Sequence, residues 1–127
     1  MDIVRDEGAQ YVVLGNGSNV LVKDSGFRGV VIIIGEGMNS VEVDSDACTV
    51  KAGAGAMLGE TARAAAHESL SGLEFASGIP GSIGGGVFMN AGAYGGEIKD
   101  VLLDAQVLTQ DGEFLTLTAE ELELSYR

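Results

Sequence analysis

The residues able to do chemistry gather in two stretches rich in glycine, asparagine and serine. One is Gly15-Asn16-Gly17-Ser18-Asn19. The other runs from Ser77 to Glu97 and holds the single proline, Pro80, with eight glycines: Gly78, Gly81, Gly84, Gly85, Gly86, Gly92, Gly95 and Gly96. Glycine loses the most backbone freedom on folding, so such a run persists where the chain needs unusual angles or where something approaches it closely. Flexible linkers are glycine-rich too, but they do not interleave Ile79, Ile83, Val87, Phe88 and Met89. The pattern therefore points to a loop that cradles a ligand. Bare backbone N–H groups suit an anion, and two such turns together could clamp a pyrophosphate. The first stretch also reads as a plain β-turn, because Asn-Gly is a strong hairpin signal; the residues leave both readings open. It is not a dinucleotide fingerprint of the Rossmann type, since Val20 stands where the third glycine belongs, and no Gly-Lys-Ser/Thr follows to make a P-loop.

Charge decides how an anion would have to be held. The 127-residue chain carries a formal net charge of −12 and only seven Lys and Arg residues, which are scattered. Nucleic acid, bound mainly through such side chains, is excluded as a partner. An anionic cofactor must instead meet backbone amides and helix N-termini. No paired catalytic carboxylates, histidine triad or metal cluster can be assembled from local motifs, so no metal is expected. Cys48 reads as a small core residue and His67 as a solvated or capping side chain at a helix end. The longest apolar run, Val30 to Ile34, is too short to span a bilayer. Asp2, Arg5, Asp6 and Glu7 leave no signal-peptide core. A lone cysteine forms no intrachain disulfide, which fits a reducing cytoplasm. Oligomeric state is not legible.

The elements that must position these stretches make one α+β domain, residues 1–127. Nearly half the residues are apolar, enough for a core. Tyr11 to Leu14 reads as a strand, followed by the first glycine turn and a second apolar run, Val20 to Val22. Val30 to Ile34 reads as a strand buried on both faces. Ser40 to Asp44 and Cys48 to Ala52 form a hairpin with Val41, Val43 and Val50 inward. Leu58 to Glu68 is an amphipathic helix with Leu58, Ala62, Ala65 and Ala66 on one face. Ile83 to Met89 is a short helix whose N-terminus turns free N–H groups outward. Val101 to Thr109 and Glu113 to Leu117 form a second hairpin about Gln110-Asp111-Gly112. Thr118-Ala119-Glu120-Glu121 matches a capping box.

Four motifs, in order, carry a resemblance: Gly15-Asn16-Gly17-Ser18-Asn19-Val20-Leu21, Gly78-Ile79-Pro80-Gly81-Ser82-Ile83-Gly84-Gly85, Met89-Asn90-Ala91-Gly92-Ala93-Tyr94-Gly95-Gly96-Glu97, and Tyr126-Arg127. From Tyr11 to Arg127 the chain resembles the UDP-N-acetylenolpyruvoylglucosamine reductase (UDP-N-acetylmuramate dehydrogenase) family, in its shorter, second type. The resemblance implies the FAD-binding fold of the vanillyl-alcohol oxidase (PCMH) type, two small α+β subdomains with FAD between them. It implies a flavin that takes hydride from NADPH and passes it to the enolpyruvyl group of a UDP-sugar in peptidoglycan precursor synthesis. Gly15, Asn16, Gly17, Ser18 and Asn19 would hold the FAD pyrophosphate. Ser77, Gly78, Gly81, Ser82, Ile83, Gly84, Gly85 and Asn90 would line the pyrophosphate and the isoalloxazine. Tyr94 and Tyr126 would face the substrate, and Arg127 would stabilise charge developing on its carboxylate and enolate. The family's proton donor lies in a later substrate-binding domain, and its opening strand and helix lie ahead of Tyr11. The chain is therefore expected to be a truncated FAD-binding portion without reductase activity of its own. Two alternatives are another FAD-linked oxidoreductase of the same fold and a module that holds no cofactor. The first often tethers flavin through His or Cys, and here His67 and Cys48 lie outside the flavin loops.

Overall fold

A computed structural model describes residues 6–125, so the expectations for Tyr126 and Arg127 lie outside the described residues. Strand β1 (Tyr11–Leu14) pairs in parallel with β2 (Val30–Ile33), Tyr11 opposite Val30 and Leu14 opposite Ile33. Val30 N–H to the Gln10 carbonyl and Ile34 N–H to the Leu14 carbonyl extend the ladder at both ends. Parallel pairing rules out a tight hairpin at Gly15–Asn19, because parallel strands need a long connection. Val20 to Val22 accordingly forms no strand, and Leu21 is 97% exposed. The expectation that the second strand is buried on both faces also fails, with Ile33 72% exposed. Each strand has one neighbour, and no described layer covers that surface.

The hairpin of β3 (Val41–Asp44) and β4 (Thr49–Ala52) is antiparallel, with Val43 facing Val50. Cys48 is exposed rather than in the core. It sits in the turn at φ +54°, where the tightening bond is Ala47 N–H to Asp44 Oδ1. That backbone turns the thiol outward, and Sγ reaches only the Ser45 carbonyl at 3.6 Å.

Helix α1 (Leu58–His67) packs across this hairpin. Its inward face is Leu58, Thr61, Ala62 and Ala65, the i, i+3, i+4, i+7 spacing of one helical stripe. Ala66, expected on that face, is exposed, and Thr61 takes the place by donating Oγ–H to the Met57 carbonyl. Ser69 at φ +61° ends the helix. Leu70 N–H returns to the Ala65 carbonyl and Ser69 N–H to the Ala66 carbonyl, closing a Schellman motif. Exposed His67 lies in the last turn.

The core joins Leu58 and Ala62 to Phe75 and Ala76 of a 3-10 turn (Glu74–Gly78) and to Ile98 of another (Ile98–Asp100). Leu73, Ile79, Ile83, Val87, Ala91 and Leu102 pack around them. Helix α2 (Ile83–Phe88) leads into a miniature hairpin of β5 (Gly92–Ala93) and β6 (Gly96–Glu97). The hairpin of β7 (Asp104–Leu108) and β8 (Phe114–Thr118) closes at Gly112, φ +87°. The capping box forms: Thr118 N–H and Oγ–H meet Glu121 Oε2, and Glu121 N–H meets Thr118 Oγ. The Thr118 N–H, then its hydroxyl, hold the Glu121 carboxyl below its ordinary pKa. The capped segment is a turn rather than a helix.

Candidate functional site: two glycine turns around a buried serine

The two glycine-bearing stretches meet in space. Asn16 Nδ2 donates to the Pro80 carbonyl at 3.0 Å across 64 residues of chain. A methyl group on Gly15 would stand 2.0 Å from Ser82 Oγ and 3.3 Å from its Cβ. One on Gly81 would stand 3.8 Å from Ser18 Oγ. A side chain at position 15 would therefore force Ser82 to shift, since the Gly15 Cα lies against the serine side chain.

Ser82 is held from the far side. Around an isolated bridge between Met57 and Ser82, Leu58 N–H reaches the Gly81 carbonyl at 2.9 Å and Ile83 N–H reaches the Ala56 carbonyl at 2.7 Å. Gly84 N–H goes to the Ala54 carbonyl at 2.8 Å. The expectation that α2 turns its first N–H groups outward therefore fails at Ile83 and Gly84, whose amides pin the helix to the 54–56 segment. Ser82 is 2% exposed, and its Oγ is the one buried side-chain polar atom among the described residues without a hydrogen-bond partner. Such a buried hydroxyl costs about 1–3 kcal/mol unless something bonds it.

The eight glycines of the second stretch divide by what they touch. A Cβ on Gly84 would lie 2.9 Å from Ala54 Cβ, on Gly86 3.0 Å from Leu58 Cδ1, on Gly92 2.7 Å from the Gly96 carbonyl oxygen, and on Gly96 2.9 Å from the Phe75 ring. These four let the chain pack on itself. Gly78 and Gly95 have open space, and Gly85 faces Ser82 Oγ at 3.5 Å.

A cavity of about 240 Å³ opens at the junction, bounded by Gly15, Asn16 and Ser82 together with Gly35, Gly55 and Met57. Glu36, Asn39 and Glu60 also line it, and no basic side chain does. Sequence reasoning does not single these out, although the Gly35-Glu36-Gly37 and Gly53-Ala54-Gly55 pairs hint at close backbone approach. A Cβ on Gly55 would meet the Gly35 carbonyl oxygen at 2.3 Å, so those segments touch directly. A wider hollow of about 570 Å³ lies over the β3–β4 hairpin and includes neither glycine turn; Glu42, Asp44 and Asp46 outnumber the one basic residue lining it, Lys51. Among the described residues no group of His, Cys, Asp and Glu is placed to hold a metal ion.

The remaining expected site residues are dispersed. Gly17 (φ +71°), Ser18 and Asn19 are exposed at the mouth of the first turn. Ser77 donates Oγ–H to the Glu74 carbonyl, and Gly78 is open beside it. Asn90 is buried at φ +43°; its Nδ2 donates to Glu97 Oε2 at 2.7 Å, and its Oδ1 accepts from Lys99 N–H at 3.0 Å. Lys99 Nζ pairs with the same Glu97 oxygen at 3.0 Å. Asn90 therefore ties together the base of the β5–β6 hairpin. At the hairpin tip Tyr94 (φ +53°) and Gly95 (φ +88°) are both left-handed, and Tyr94 is 97% exposed.

The FAD binding domain family matches residues 1–118. The UDP-N-acetylenolpyruvoylglucosamine reductase of Agathobacter rectalis is 62% identical over 125 residues, covering 91% of this chain and 40% of that protein. The same-named protein of Clostridium botulinum (strain Eklund 17B / Type B) is 53% identical over 127 residues, 100% of this chain and 41% of its own length. The crystal structure of UDP-N-acetylenolpyruvylglucosamine reductase (MurB) from Thermus caldophilus superposes with a TM-score of 0.80 at 41% identity, over 99% of this chain and 45% of that one. The chain thus spans about two fifths of the length of the curated relatives it matches. The α+β architecture agrees with that neighbour. By the match over most of its length, the chain belongs to the FAD binding domain family.

Proposed function

We propose that this chain is the FAD-holding portion of a UDP-N-acetylenolpyruvoylglucosamine reductase. The observation that carries the reading is Ser82: a buried hydroxyl with no partner, lying where a side chain at Gly15 would collide with it. An acidic chain with no basic residue at this cavity must bind a diphosphate through neutral donors. Ser82 Oγ–H and the Gly85 N–H on one side, and the amides and side chains of Gly15 to Asn19 on the other, are those donors. Ser77, Gly78 and Gly81 would offer backbone to the cofactor. Ile83 and Gly84 commit their amides to Ala56 and Ala54 and act by holding Ser82 in place. Asn90 commits its side chain to Glu97 and Lys99 and would act by fixing a loop that borders the flavin.

FAD, when bound, supplies a carrier of hydride between NADPH and the substrate double bond. Tyr94 stands clear of its loop and is available to a UDP-sugar. Tyr126 would face the same substrate, and Arg127 would offset its negative charge with a permanently charged fork. The reaction serves peptidoglycan precursor synthesis, hence cell-wall growth, shape and division, in the cytoplasm. Its partners are small molecules, with neither nucleic acid nor membrane involved; no described helix is long and apolar enough to cross a membrane.

The test is spectroscopic and thermal. The purified chain should take up FAD and show flavin absorbance. FAD at about 100 times its Kd should raise apparent stability by about 2.7 kcal/mol. A colourless protein whose melting temperature ignores excess FAD would overturn the reading.

A further inference from the structure

The cavity at the glycine junction has two kinds of lining. Gly15, Asn16 and Ser82 bring neutral donors and bare backbone. Glu36, in the first turn after β2, and Glu60, in the first turn of α1, line the same cavity from two separate elements, with Asn39 beside them. Helix dipoles alone favour acids at such positions, but they do not explain why both line the cavity that Ser82, with its unpartnered and buried hydroxyl, also lines. A diphosphate cannot sit against two carboxylates. Whatever fills the cavity must turn its anionic part to Ser82 and a donor-rich, uncharged part to Glu36 and Glu60. Ionised carboxylates only accept hydrogen bonds, and their strongest uncharged partners are O–H donors.

Resting on the FAD reading of this site, we infer that Glu36 and Glu60 receive the hydroxyl groups of the sugar or sugar alcohol that flanks the cofactor's pyrophosphate. FAD carries two such groups, the adenosine ribose and the ribityl chain. Either presents neighbouring hydroxyls a short distance from the phosphates, which is the juxtaposition the lining provides. The two carboxylates then offset the missing basic residues by orienting the cofactor instead of attracting it.

Calorimetric titration of the whole chain tests this with FAD, FMN and ADP against Glu36→Gln and Glu60→Gln. Both side chains are exposed, so the variants should melt as wild type without ligand. Each substitution replaces a charged acceptor by a neutral one and should weaken FAD about fivefold, the pair about twentyfold. A loss shared by FAD and ADP assigns the carboxylates to the adenosine ribose; a loss shared by FAD and FMN but not ADP assigns them to the ribityl chain. If the carboxylates merely repel the pyrophosphate, the variants bind FAD more tightly, and that result or unchanged affinity overturns the inference alone. Wild-type chain that takes up no FAD overturns the flavin reading together with this one.

Discussion

Residues 11–34 and residues 54–102 have similar apolar content and opposite fates. In the second region Leu58 is 1% exposed, Ala76 0% and Ile98 4%, because a helix, two 3-10 turns and a short helix wrap one core. In the first, Val20, Leu21, Val22, Phe27, Val30, Val31 and Ile33 all face outward, because two paired strands and a long connection enclose nothing by themselves. The two regions touch at the candidate site: Gly15 on Ser82, and Asn16 on the Pro80 carbonyl. The candidate site thus joins a packed half to an open one. Ser82 is fixed by packing and main-chain bonds, and the first turn is brought to it by a few contacts.

Three substitutions grade that contrast. Leu58→Ala strikes the packed region at its most buried large side chain and should cost about 3 kcal/mol in denaturant unfolding. A cost under about 1 kcal/mol would mean the region is looser than its burial implies. Gly15→Ala strikes the junction. Its methyl would meet Ser82 Oγ, so stability should fall by about 1–2 kcal/mol and FAD uptake with it. Adding Ser82→Ala removes the colliding oxygen, so the double variant should regain most of the lost stability but not FAD binding; strictly additive losses would show that the two residues do not touch. Leu21→Ser strikes the open region, where 97% exposure predicts a change within about 0.5 kcal/mol. A larger loss in thermal unfolding would place Leu21 under cover in solution.

Much of this is legible in the chain. Asp44-Ser45-Asp46 and Asp111-Gly112 mark two hairpins, alanine spacing marks α1, and Thr118 with Glu121 marks a cap, because each signal is local. The meeting of Gly15–Asn19 with Gly78–Gly96 is suggested by their shared chemistry, but the contact itself is not legible, since nothing local links Asn16 to Pro80, 64 residues away. The exposure of Val30 to Ile34 is not legible: a continuous apolar run reports what a strand needs, not whether a layer is present to supply it. Composition also does not sort the glycines. Gly84 and Gly86 are bare for Ala54 and Leu58, whereas Gly15 is bare for Ser82, and a sequence records only that a side chain is missing. The part Asn90 plays in its own loop is not legible either, because it depends on where Glu97 and Lys99 fall.

The turn at Tyr94 has a practical side. The chain contains no tryptophan and three tyrosines, and this ring stands almost wholly in water on a hairpin anchored at its base by Asn90. Its ultraviolet emission starts from a solvent-bathed baseline, so any molecule that settles over the hairpin tip announces itself optically without a label.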